Sequence, residues 1–149
     1  MDTIEETPLN DMTASEVLAS EREFSNFVRA LELSGVGDML EKKGPYTVFA
    51  PNDEAFNIET IGGMLSQAKL MNVLHHFIVP GRYEYKNLEQ LSLLVTVNGY
   101  PLAIKNKEEL TINGAHIFRP DIPYNKGIIH MIDQVLYFNG RGNTLDSGD

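Results

Sequence analysis

The apolar rhythm of the chain changes once, near Asn87, and that change constrains the fold more than any other feature. Before it, Phe24, Phe27, Val28 and Leu31 recur at i, i+3, i+4 and i+7, which places them on one face of a helix. After it come short β-like segments separated by turn signals. Asn98–Gly99 stands between LLVTV and PLAI, and Asn113–Gly114 between LTI and AHIF. Each pair predicts a two-residue hairpin, because both central positions of such a turn take positive φ. Helices first and strands later predict an α+β domain.

Within the helical half, Gly35 and Gly37 interrupt the pattern, a short helix is expected from Asp38 to Lys43, and Gly44 with Pro45 stops it. YTVFA, Tyr46 to Ala50, reads as a buried strand running into Pro51, Asn52 and Asp53. That trio is placed to cap the turn holding Ala55 and Phe56, a role for Asp53 worth about 0.5–2 kcal/mol. Ser66 offers a cap to a longer helix on which Leu70, Leu74, Phe77 and Ile78 repeat, until Pro80 and Gly81 end it. The last element, GIIHMIDQVLYF from Gly127 to Phe138, has no helix caps and suits strands buried on both faces or bent at Asp133.

Residues 1–13, with Asp2, Glu5, Glu6 and Asp11, show no apolar period and are expected to form a flexible acidic arm. The polar run from Asn139 to Asp149 is expected to be a flexible tail, leaving 14–138 as one domain of ordinary size. Twelve Lys and Arg against 21 Asp and Glu give a net charge of −9, so nucleic acid and anionic lipid surfaces meet net repulsion. No apolar run approaches the roughly 20 residues a spanning helix needs, and the first residues lack the basic and apolar regions of a signal peptide. A trimmed form would lack its leader too, so export stays open. The absence of cysteine removes disulfides, thiolate nucleophiles and thiolate metal sites together. No Asn is followed two positions later by Ser or Thr, which leaves no N-glycosylation acceptor.

Two segments carry a resemblance. GPYTVFAPNDEAF, Gly44 to Phe56, and GIIHMIDQVL, Gly127 to Leu136, are similar to the two signature stretches of fasciclin-like domains. LHHFIVPGRY, Leu74 to Tyr83, and the hairpin run through Asn113 and Gly114 stand between them in that family's order and spacing. Over about Ala14 to Phe138 the chain resembles a single-domain, prokaryotic-type fasciclin-like protein. The resemblance implies a β-wedge of several strands joined to an N-terminal helical cluster. It also implies a location that is extracellular, at the cell surface or periplasmic, with adhesion, matrix or symbiotic contacts and no shared catalytic chemistry. The family's Tyr-His before Val-Pro-Gly is His76 and Phe77 here, and its Asn before the second Gly is Lys126. A Pro-Asp-Ile stretch tied to receptor recognition in some animal relatives is matched by Pro120, Asp121 and Ile122, although Arg119 and Pro123 replace a typical Glu and Met.

Thr47 and Asp133 stand inside apolar stretches, where an unpaired polar group costs about 1–3 kcal/mol or more. Each is therefore expected to bond backbone or its neighbour and lock the two signature segments together. His130, between Ile129 and Met131, reads as a satisfied, partly buried histidine rather than a base. Adjacent His75 and His76 point about 100° apart on a helix, and neither they nor His116 and His130 form a metal-binding motif. No G-x-S-x-G, P-loop or G-x-G-x-x-G occurs; the GRG at Gly140 to Gly142 is only a fragment of such patterns. The expected function is a non-enzymatic interaction module without cofactor. Its partner is a protein or glycan at a cell surface or matrix, with weak self-association as a further contact. Asp121, Ile122, His76 and Phe77 are its candidate anchors. The alternative is a carrier with a small apolar or carbohydrate ligand in a crevice between helices and sheet, lined by several of Tyr83, Tyr85, Tyr100, Tyr124 and Phe118.

Overall fold

A computed structural model describes residues 8–57 and 66–136. The expected tail from Asn139, residues 1–7 of the expected arm, and Tyr137 and Phe138 of the closing element lie outside the described residues. Pro8 to Thr13 are described: Leu9–Asp11 form a 3-10 turn, and the Met12 carbonyl accepts from Asn125 N at 2.7 Å.

The helical face forms as spaced. Helix α1 (Ala14–Ala19) starts at a capping box in which Glu16 N donates to Thr13 Oγ1 at 3.1 Å and Thr13 N to Glu16 Oε1 at 3.0 Å. Phe24 closes a 3-10 turn and leads into α2 (Ser25–Ser34), and Phe24, Phe27, Val28 and Leu31 are all buried. Helix α3 (Val36–Lys42) begins two residues before the expected Asp38 and runs through Gly37. Burial of Val36 and Leu40 outweighs the roughly 1 kcal/mol a helical glycine costs. Helix α4 (Gln67–His75) has the expected cap, with Lys69 N donating to Ser66 Oγ at 3.2 Å.

The apolar spacing on α4 overstates its length. The helix ends at His75, and Ile78–Pro80 form strand β2, paired antiparallel with strand β1 (Tyr46–Pro51). Neighbouring β-branched Ile78 and Val79 suit the strand, and the edge of β1 supplies the hydrogen bonds. A short helix α5 (Tyr85–Leu88) follows. Strands β3 (Leu93–Val95), β4 (Pro101–Asn106), β5 (Leu110–Ile112), β6 (Ala115–Tyr124) and β7 (Gly127–Ile132) then complete a seven-stranded sheet of order β2-β1-β7-β6-β5-β4-β3.

Both Asn-Gly turns join antiparallel strands, but by different geometry. Asn113 (φ 48°) and Gly114 (φ 88°) make the expected two-residue turn. At the other, only Gly99 has positive φ (89°). Thr96 N donates to Tyr100 O and Gly99 N to Thr96 O, each at 2.9 Å, which is a three-residue loop in which one left-handed position suffices.

The two signature segments meet as interior strands, second and third in the sheet order. Strands β1 and β7 pair in parallel from Tyr46↔Gly127 to Pro51↔Ile132, and β6 lies antiparallel on the other side of β7. Every residue of β7 is buried, as expected of a strand with neighbours on both edges and cover on both faces. Gly127 permits the closest approach, since a Cβ there would collide with the Tyr46 carbonyl oxygen. One continuous core links the helices to these strands through Phe27, Phe56 and Phe77, whose rings meet edge-to-face at 5.7–6.0 Å.

Candidate functional site

The polar residues of the two signature strands converge on one backbone segment. Thr47, fully buried on β1, donates from Oγ1 to the Gly81 carbonyl at 2.7 Å and accepts from Tyr83 N at 2.9 Å. His130, fully buried on β7, has Nε2 at 2.7 Å from the Tyr83 carbonyl. A carbonyl only accepts, so Nε2 carries the proton, and Nδ1 accepts from Asp121 N at 3.2 Å. Thr47 and His130 thus close on the N–H and the C=O of Tyr83. Burial, the largest influence, lowers the His130 pKa, against the opposing bond to Tyr83, and its ring stacks on Phe49 at 5.7 Å. A neutral imidazole with both nitrogens bonded has no lone pair for a proton or a metal.

The Asp121 N–H that His130 receives belongs to an irregularity in β6. Register passes from Arg119↔Met131 to Ile122↔Ile129, so Pro120 and Asp121 together face His130. Asp121 takes φ 63°, and its Oδ1 accepts from Tyr85 N at 2.8 Å at the start of α5. The bulge is thereby held from both sides while Phe118, Arg119, Pro120 and Asp121 are exposed in sequence. Phe118 is 42% exposed and stacks on Phe24 at 6.4 Å, and Arg119 Nη1 bonds Glu21 Oε1 at 3.0 Å.

Of the four expected anchors, only Asp121 reaches the surface. Ile122 is buried opposite Ile129, and Phe77 is buried in the aromatic cluster. His76 is buried too, stacked on Tyr100 at 4.8 Å, with Nδ1–H donating to the Asn72 carbonyl at 2.8 Å. Burial brings its pKa down to about 4, so it too is neutral near pH 7.

Asp133 departs from expectation. Strand β7 stops at Ile132, which leaves Asp133 exposed, bonded not to the first signature segment but to β6, where Oδ1 accepts from His116 N at 2.9 Å. Its Oδ2 lies 3.5 Å from His116 Nδ1, and Glu109 Oε1 lies 3.3 Å from Nε2. Asp53 is also redirected. Asn52 caps the local turn, with Ala55 N donating to its Oδ1 at 2.9 Å, whereas Asp53 accepts from Asn26 N and Ser25 Oγ, both at 2.8 Å, at the start of α2. The Asn52 cap is within reach of local reading, whereas nothing in the local sequence announces the partners of Asp53 or Asp133.

Among the described residues no group of three or more His, Asp or Glu side chains is placed to hold a metal ion, and no helix is long and apolar enough to cross a membrane. One hollow of about 370 Å³ lies along α2 by Glu21, Asn26, Arg29 and Glu32. A second, of about 460 Å³, lies at the β6–β7 turn and includes Tyr124. Neither gathers more than one of the five aromatics expected around a carrier's ligand.

A helical cluster on a sheet whose interior joins the two signature strands in parallel defines an α+β domain of the fasciclin type. The chain belongs to the fasciclin domain family, which it matches over residues 22–138. It is 35% identical over 127 residues to the Synechocystis protein sll1735, covering 81% of this chain and 94% of that one. It is 31% identical to Synechocystis sll1483, over 84% and 73% of the two chains. The transforming growth factor-beta-induced protein ig-h3 of Sus scrofa is 32% identical over 83% of this chain, which spans 19% of that longer protein. In architecture it is similar to the FAS1 domain pair of the insect cell adhesion molecule Fasciclin I, with a TM-score of 0.67 at 20% identity over 87% of this chain. The chain spans 52% of that pair, and the likeness bears on fold alone.

Proposed function

We propose that the chain is a non-catalytic interaction module that works outside the cytoplasm, in the periplasm or at a cell surface or matrix, through contacts with protein or glycan. The observation that carries this reading is the pinned bulge on β6. There a partly exposed aromatic, an arginine, a proline and a carboxylate follow one another on backbone fixed by His130 and Tyr85. Aromatic and arginine side chains on rigid backbone supply binding energy at low ordering cost. Membership of the fasciclin domain family, and similarity to ig-h3, support the same direction. The buried polar groups hold backbone rather than a reacting atom, which supports a role without catalysis.

The test is capture of extracellular proteins and glycans on the purified domain at low and raised salt, then affinity measurements on Phe118→Ala and Asp121→Asn. Contacts driven only by the −9 charge fade as salt rises. A salt-resistant partner that binds the doubly substituted domain unchanged refutes this assignment of the surface.

A further inference from the structure

The hollow at the β6–β7 turn lies apart from the bulge. Its lining includes Asn10, Pro45, Arg82, Tyr124, Asn125 and Lys126, over a floor of bare backbone at Gly44 and Gly127. Two observations set it apart from an ordinary surface dent. The Tyr124 hydroxyl is fully buried and has no hydrogen-bond partner among the described residues, although buried polar groups are nearly always paired. In a chain of net charge −9, two cations face this one hollow. Arg82 is engaged on one side by Glu84 at 2.9 Å, whereas Lys126 has no acidic partner within 4 Å among the described residues. Its volume of about 460 Å³ falls within the roughly 300–1,000 Å³ of small-molecule sites.

We infer that this hollow is a binding site for an acidic monosaccharide unit of the uronate class. The carboxylate lies between Lys126 and Arg82. Amides donate and accept at once, as sugar hydroxyls do, and those of Asn10 and Asn125 bond the ring hydroxyls. The Tyr124 phenol, kept protonated by burial and by Tyr46, is closed off beneath the floor in the free protein and donates to the ligand once the side chains over it shift aside. The Pro45 ring offers an apolar edge to a sugar face. No other aromatic lines the hollow, so a flat apolar ligand has no platform there.

The test is a titration of the ¹⁵N-labelled domain with D-galacturonate, with D-galactose and sodium acetate as parallel arms. Galacturonate is expected to shift the amides of Gly44, Asn125, Lys126 and Gly127 saturably. Lys126→Gln and Tyr124→Phe each weaken binding by about tenfold, the share of one hydrogen bond in a site of mixed charge. Tyr124→Phe does not lower its thermal midpoint and is expected to raise it, because it removes a buried hydroxyl that bonds nothing in the free protein. Acetate binding as tightly as galacturonate identifies an adventitious ion only and overturns the inference. Equal binding of galactose, or unchanged affinity in both variants, overturns it as well. Phe118→Ala and Asp121→Asn leave galacturonate binding intact, so this site and the β6 surface stand or fall separately.

Discussion

Replacing Thr47 by Val tests the convergence on Tyr83 directly, because the two side chains share a shape and differ by the hydroxyl. The hydroxyl serves both Gly81 O and Tyr83 N. Its loss leaves two backbone groups without a partner, at about 1–3 kcal/mol each. Burying a methyl in its place returns about 1 kcal/mol. The net loss is about 1–5 kcal/mol, or a drop of about 0.5–2.5 M in the urea midpoint at an m of about 2 kcal/mol per M. Thr47→Ser keeps both bonds and loses one methyl, at about 1 kcal/mol. A cycle with His130→Phe adds a further reading. Thr47 holds the N–H and His130 the C=O of one residue, so the two losses couple by at least about 0.5 kcal/mol. If Thr47→Val stays within about 0.5 kcal/mol of the parent, or Thr47→Ser is as harmful, the hydroxyl does not hold this loop and the reasoning fails.

Asp53→Ala removes the acceptor of Asn26 N and Ser25 Oγ, and a loss of about 1–2 kcal/mol, about 2–8 °C in Tm, is expected by calorimetry, while Glu54→Ala at the exposed neighbour changes little. Acid lowers stability through His76 and His130. Both have native pKa values depressed by burial below the unfolded value of 6.5, so below that pH the unfolded chain takes up protons that the native one refuses. Unfolding free energies from urea melts at pH 7, 6 and 5 therefore fall, by up to about 1.4 kcal/mol per pH unit for each histidine, and His76→Gln flattens the slope by its share. Gly127→Ala drives a methyl into the Tyr46 carbonyl and is expected to abolish the soluble folded domain, whereas Gly99→Ala, at positive φ with open space around it, costs about 1–2 kcal/mol by circular dichroism melts.

The central strands were legible because their composition leaves few alternatives. YTVFA and GIIHMI are too short and too β-branched for helices, and only an interior strand covered on both faces hides such a run. The helical face of Phe24 to Leu31 was equally plain, since periodicity reports burial directly. The meeting of the two signature segments and a backbone partner for Thr47 were expected, but several other features set by a distant partner escaped. Asp53 stands 28 residues from Ser25, and local reading assigned it to its own turn. Periodicity carried α4 past His75 because Ile78 continues the apolar spacing whether it points from a helix or a strand. Asp133 read as interior because Leu136 beyond it is also apolar, yet the ladder had already ended at Ile132. His76 and Ile122 stood beside turns, and packing on Tyr100 and Ile129 buried them. The hollow at Tyr124 joins Asn10, Pro45, Arg82 and Lys126, four places that no window along the chain contains.

Strand β7 is the last strand in chain order among the described residues, yet it occupies the seam between β1 and β6. During synthesis both of those strands therefore wait with one edge unpaired until residues 127–132 leave the ribosome. The parallel partner of β1 arrives about eighty residues after it, a long loop to close, and such pairings form slowly. An incomplete chain thus exposes two template edges at once, the state most open to pairing with another molecule. The sheet therefore closes last at its seam, and the whole fold is completed by the strand that is made last among those described.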